Sequence, residues 1–193
     1  MTKAALSTGL APSGKVSAII CHFVDLLPRF MLWSLSFSRC RAIGFPSMDV
    51  ENRNLIHATA IAHRGRGLLI LGASGTGKST LALEMMAFGA ELVSDDQVLL
   101  RVEAGRITAD SPDRIRGLIE ARGVGILNAR AHGPVILALA ADLGLAPDRR
   151  LPDHEKLDLL GCGLPLVRGA GRVHLAAVLM QYLAAGRWDG NGG

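Results

Sequence analysis

Beyond residue 50, apolar positions come in short runs separated by glycine-rich turns, the rhythm of strands rather than of long helices. Leu55 to Ala62 (LIHATAIA) reads as a strand and Arg64 to Gly67 as a tight turn, and Leu68 to Leu71 is a short buried strand running straight into Gly72. Lys78 to Ala87 (KSTLALEMMA) switches to helical spacing and stops before Gly89, a residue suited to the position just past a helix end. Glu91 to Ser94 is a strand ending at Asp95 and Asp96. Val98 to Val102 and Arg106 to Ala109 pair as a hairpin about Glu103-Ala104-Gly105. Further on, Gly117 to Arg122 and Val135 to Ala141 are strands, and Asp148 to Glu155 is a charged loop. Leu157 to Val167 supplies one or two strands, and Arg172 to Ala185 is an amphipathic helix. The pattern predicts a strand-rich α/β domain rather than a regular doubly wound one.

Composition narrows the class. The 193 residues suit one domain of ordinary size, and 49% apolar against 20% charged residues excludes a disordered chain. Cys21, Cys40 and Cys162 have neither disulfide-framework nor paired metal-ligand spacing. The net charge of +4 is confined to residues 1–47, where Lys3, Lys15, Arg29, Arg39 and Arg41 face Asp25 alone. The remainder is neutral, which leaves no electrostatic footprint for nucleic acid, and aromatics at 4% are too sparse for a base-stacking surface.

Four of the five Phe also lie before Met48, so the composition shifts abruptly there. Ser17 to Phe37 is apolar and about long enough to span a bilayer, but Asp25, Pro28 and Arg29 interrupt it. Asp25 likewise breaks the apolar region of a signal peptide. Three readings stand: an over-extended start with Met48 as initiator, an interfacial anchor, or a membrane span. The composition shift favours the first, so the expected organisation is an extension over 1–47, a domain over 48–186 and a flexible tail over 187–193.

The most specific local signal is Gly72-Ala73-Ser74-Gly75-Thr76-Gly77-Lys78-Ser79, a complete G-x-x-x-x-G-K-[ST] phosphate loop. Glycines let the backbone fold around a polyphosphate with its N–H groups inward, and the following helix adds the positive end of its dipole. Lys78 would reach the outer phosphates and the Ser79 hydroxyl would ligate Mg²⁺, with Thr80 completing the loop's polar end. An apolar strand precedes the loop and an apolar-periodic helix follows, as the motif requires.

Such a loop needs an acid nearby, and two places compete. Val135 to Asp142 (VILALAAD) has the form of an apolar strand ending in an acid, whereas Asp95-Asp96 closes the strand after the phosphate-loop helix. Composition and spacing leave the choice open.

A resemblance decides it. GASGTGKS, then VSDDQV, then GLIEARGVGI at 117–126 together resemble the catalytic domain of HPr kinase/phosphorylase, over roughly residues 52–180. That resemblance implies a fold like the nucleotide-binding core of phosphoenolpyruvate carboxykinase. It also implies an enzyme that moves the γ-phosphoryl of ATP, with Mg²⁺, to a serine of the phosphocarrier HPr. Many members also reverse the reaction with inorganic phosphate, and members are commonly hexameric, so the expected setting is the cytoplasm and a homo-oligomer. Nothing in residues 1–47 resembles the family's N-terminal domain, which makes this the short type.

Carried over by motif, Gly72, Ser74, Gly75, Thr76, Gly77, Lys78, Ser79 and Thr80 would bind nucleotide, and Ser79 and Glu120 would bind metal. Asp95 would be the acid/base, with Asp96 beside it either as a physical means of raising its pKa toward neutrality or as an ionised group serving Mg²⁺ or a cationic partner. His57 falls where the family has a functional His, and Arg122 lies in the segment linked to the reverse reaction. The loop at 148–155 is the source nominated for a mobile-loop Arg, Arg150 ahead of Arg149. Asp142 is read as a plain strand-end acid. The competing functions are a small-molecule P-loop kinase and a nucleotide sensor with little turnover.

Overall fold

The computed structural model of the chain describes residues 54–188, and the expectations for residues 1–53 and 189–193 lie outside that span. Nine strands form one mixed sheet, in the order β1-β5-β6-β9-β3-β2-β4 with β11 and β10 added beside β9. The strands are β1 (Asn54–Ile56), β2 (Thr59–His63), β3 (Arg66–Leu71), β4 (Glu91–Ser94), β5 (Val98–Glu103), β6 (Arg106–Asp110), β9 (Val135–Asp142), β10 (Lys156–Leu159) and β11 (Cys162–Arg168). A separate hairpin joins β7 (Leu118–Ala121) to β8 (Gly125–Asn128), and the helices are α1 (Lys78–Ala87) and α2 (Leu175–Ala185).

Both faces of the central strands are covered, which is why β3 reads as an unbroken apolar run instead of an alternating one. Leu68 and Ile70 point to the helical side, with Leu81 and Met85 of α1 and Leu179 and Leu183 of α2. Leu69 points to the other side, with Val98, Leu100, Ile107 and Leu137.

Strand direction positions the site. β3 and β9 run parallel, while β2 lies antiparallel between β3 and β4. The carboxyl ends of β3 and β4 and the amino end of β2 therefore meet at one edge of the sheet.

Three departures from the sequence pattern have local causes. The run LIHATAIA is two strands, because Asn54–Ile56 pairs with β5 whereas Thr59–His63 pairs with β3 and β4. The chain switches partners at His57 and Ala58. The second helix begins at Leu175, since His174 adopts a left-handed φ of 57° and turns the chain first. β8 was not anticipated, because all four of its residues are exposed and it carries no buried face to leave a period in the sequence.

Gly67 sits where the pairing of β3 with β9 shifts register. A Cβ there would lie 2.7 Å from Val135 Cγ1 and 3.0 Å from the Ile136 carbonyl oxygen. Backbone cannot yield as a flexible side chain would, so Gly67→Ala is expected to lower stability by about 1–3 kcal/mol, read as a reduced urea midpoint at unchanged m-value.

Candidate active site

The phosphate loop spans the turn between β3 and α1, and it needs its glycines. Gly72 has φ 144°, and a Cβ on it would stand 2.6 Å from Thr76 Oγ1. Gly77 caps α1 at φ 93° with no side-chain cap, so the first N–H groups of the helix are left to an incoming ligand. Thr76 Oγ1 donates to the Ala73 carbonyl at 2.8 Å and holds the loop closed.

Lys78 is only 6% exposed. Its ammonium donates to the Gly72 and Ala73 carbonyls at 2.9 and 3.1 Å and to His57 Nε2 at 3.0 Å. An ammonium can only donate, so Nε2 is the acceptor and Nδ1 carries the imidazole proton. That Nδ1–H faces the Asp96 carboxylate at 3.0 Å and the Asp96 carbonyl at 3.0 Å. Asp96, His57 and Lys78 thus form a chain leading from the rim into the loop.

Asp95 is equally buried, at 6% exposure. Its Oδ1 accepts from Thr59 Oγ1 at 2.7 Å and from Ser79 Oγ at 2.9 Å, and its Oδ2 accepts from the Glu120 backbone N–H at 3.1 Å. The expected pairing of the two neighbouring carboxylates is not what forms. Asp96 has a left-handed φ of 67° and its side chain turns to His57 and solvent, so the acids have separate partners.

These groups line a cleft of about 470 Å³ together with Ser74, Gly75, Thr80, Glu120 and Arg122. Its far wall is apolar, formed by Ile115, Leu118 and Ile126. Ile119 is buried against the helical core and anchors the β7–β8 hairpin, which hangs Arg122 over the loop. The Arg122 Nη2 lies 3.8 Å from where a Cβ on Gly75 would stand.

Other nominated residues fall elsewhere. Arg150, exposed in the loop after β9, does not line the cleft, nor does Arg149, which is ion-paired with Asp153 at 3.0 Å. The reason is that this loop leans on the Arg187 guanidinium, which donates to the Pro152 and Asp153 carbonyls. Asp142 ends β9 opposite Leu71 but accepts the Gly144 N–H at 2.7 Å, the work of a turn-capping acid. Thr59 is the site residue that the sequence did not reveal. A threonine in a strand is ordinary, and nothing in LIHATAIA marks its hydroxyl as a partner of Asp95.

The donor set suits Mg²⁺. That ion keeps several waters and is held by one or two carboxylates plus substrate phosphates rather than by an all-protein cage. Among the described residues no group of three or more His, Cys, Asp or Glu converges on a metal position, and the cleft offers the Ser79 hydroxyl and the Asp95 and Glu120 carboxylates.

Residues 49–138 match the family model described as the HPr Serine kinase C-terminal domain. Over that span the chain is similar to the family. An HPr kinase/phosphorylase of Caldicellulosiruptor bescii is 45% identical over 87 residues, covering 45% of this chain and 28% of that protein. One from an Exiguobacterium species is 32% identical over 137 residues, 64% of this chain and 44% of its own length. The chain therefore spans less than half the length of the curated relatives it matches. The solved Hpr(Ser) kinase/phosphatase of Coxiella burnetii superposes with a TM-score of 0.59 at 24% identity, over 68% of this chain and 93% of that one. The strand-rich α/β fold is thus shared with that solved structure. No described helix is long and apolar enough to cross a membrane.

The loop itself makes a sharp test of the geometry. Gly72→Ala would drive a methyl into Thr76 Oγ1 at a φ that L side chains rarely adopt. Nucleotide affinity is expected to fall about tenfold or more by calorimetric titration, with the fold's circular dichroism retained.

Proposed function

We propose that this chain is an ATP-dependent kinase that phosphorylates a serine of an HPr-type phosphocarrier protein in the cytoplasm, and that the same site runs the reverse phosphorolysis. The observation that carries this reading is the buried Asp95 carboxylate hydrogen-bonded to the phosphate loop's own Ser79 at 2.9 Å. A proton acceptor fixed beside a phosphate grip is what serine phosphorylation requires and what simple nucleotide binding does not. The names of the similar proteins point the same way.

In this account the loop's backbone N–H groups and Lys78 hold the ATP phosphates. Ser79 and Glu120, with Asp95 near them, would hold Mg²⁺, which supplies charge neutralisation at the phosphates when bound. The substrate serine enters between Asp95 and the γ-phosphoryl group. Its oxygen forms a bond to the γ-phosphorus, the bond from that phosphorus to ADP breaks, and the serine proton passes to Asp95. In reverse, an oxygen of inorganic phosphate forms a bond to the phosphoserine phosphorus, and the bond from that phosphorus to the serine oxygen breaks. Asp95 passes the proton of the attacking phosphate to the serine oxygen, so that serine and pyrophosphate are the products. Arg122, hanging over Gly75, places a cation near the transferred group.

The His57 imidazole, held by Asp96, accepts from Lys78 and steers its ammonium. Arg150 has no part in this account.

Incubation with ATP, Mg²⁺ and purified HPr, followed by intact mass, tests the proposal. One added phosphoryl group per HPr is expected, removed again when inorganic phosphate is supplied. Asp95→Asn should lower the rate by roughly 10²–10⁴-fold while ATP still binds, and Lys78→Ala should abolish transfer without unfolding the chain. A wild-type chain that binds ATP and leaves HPr unmodified would overturn the proposal in favour of a nucleotide sensor.

A further inference from the structure

A second cavity, of about 340 Å³, opens at the end of β3 away from the phosphate loop. Its floor is Ala138 and Leu166, its side is the Tyr182 ring of α2, and its rim is the loop carrying Pro147, Pro152 and Asp153. We propose that this cavity binds a small polycarboxylate through Arg66, Lys156 and Arg172.

The charge balance of the wall points to an anion. Its two acids are already neutralised, Glu155 by Arg168 at 2.9 Å and Asp153 by Arg149 at 3.0 Å. The hydrogen bond that Arg168 donates to Glu155 is the main cause of the raised pKa of Arg168. Arg187, in turn, is committed to the Pro152 and Asp153 carbonyls. Among the described residues, Arg66, Lys156 and Arg172, like Arg187, are without a carboxylate. The Arg66 and Lys156 side chains have no polar partner among the described residues, and Arg172 uses only its Nε, on the Arg168 carbonyl at 2.9 Å. The Tyr182 hydroxyl is likewise without a partner among the described residues. Arg66, Arg172 and Tyr182 are half-buried, where polar donors are normally satisfied, and Lys156 stands exposed at the mouth. A concave wall of unpaired cations repels itself until an anion enters.

The type of donor selects the ligand. Phosphate is typically gripped by a nest of backbone N–H groups at a helix N-terminus. Here the helix end is the C-terminal one, at Tyr182 and Gly186, and the wall backbone groups that make hydrogen bonds to side chains are carbonyls. Two guanidinium forks and one ammonium in one cavity match planar carboxylates. The volume is at the lower end for ligand pockets, which fits a compact molecule.

Titration calorimetry with citrate, and separately with inorganic phosphate, tests this independently of any kinase activity. Citrate should bind at one site, and its affinity should fall at least tenfold in the Arg66→Gln/Lys156→Gln chain. Tyr182→Phe, which keeps the ring packed, should weaken citrate about twofold or more. Citrate should also slow tryptic cleavage after Arg149 and Arg150, because the rim loop would be held, and should fail to do so in the double variant. Phosphate binding at the loop near Lys78 should not respond to the Arg66 and Lys156 changes. No citrate binding at millimolar concentration, citrate binding unaltered in the double variant, or phosphate outcompeting citrate at these residues would each overturn the proposal.

Discussion

Removing a carboxylate from water is costly unless donors replace the lost hydration. Asp95 meets that demand with three donors drawn from three parts of the fold: a hydroxyl from the start of β2, a hydroxyl from the first turn of α1, and a backbone N–H from β7. Each donor is also a tether. Through this one side chain the sheet edge, the phosphate-loop helix and the β7–β8 hairpin are brought into a common geometry. The buried Lys78 ammonium is satisfied in parallel, by two loop carbonyls and the His57 imidazole. The cleft is therefore arranged before any ligand arrives, the condition under which fixed dipoles stabilise a developing charge most effectively.

The sheet makes this arrangement possible through one insertion. With β2 antiparallel between β3 and β4, the phosphate loop leaves one strand end while Asp95 leaves another, and Thr59 rises between them. The strand break at His57 and Ala58 then drops the imidazole onto the same edge. Two cores, one on each side of the sheet, keep that edge rigid: Met85 and Leu179 lie on the helical side, Leu69 and Leu100 on the other. The two ends of the domain differ in chemistry. The phosphate-loop end presents backbone N–H groups and a helix N-terminus, whereas the far end presents guanidinium and ammonium side chains over an apolar floor.

Much of this was legible in the residues. The helix Lys78–Ala87 and the strand Glu91–Ser94 have the bounds their pattern predicts, because a helix with apolar residues on one stripe and a strand bounded by turn residues leave periodic traces. The phosphate loop was legible because its chemistry demands glycines, a lysine and a hydroxyl at set intervals. Asp95 and His57 were reached through motif resemblance, and the structure brings both to Lys78 and Ser79. Arg150 was nominated through the same resemblance, as the Arg of the charged loop at 148–155, and neither charge nor chain order says which way an exposed loop leans.

What the sequence determined by itself, then, is local: which segments alternate, where the chain must turn, and which side chains can grip a phosphate. Tertiary structure alone decided which partner each polar group would take. Thr59 became a tether for Asp95, Asp96 turned to His57 instead of its neighbour, and Arg66 met Lys156 and Arg172 around a single cavity. The reason is physical. Periodicity records burial against the nearest layer, while hydrogen bonds and charge balance depend on groups far apart in the chain, such as Thr59 and Asp95 or Arg66 and Arg172, whose proximity exists only once the sheet has closed.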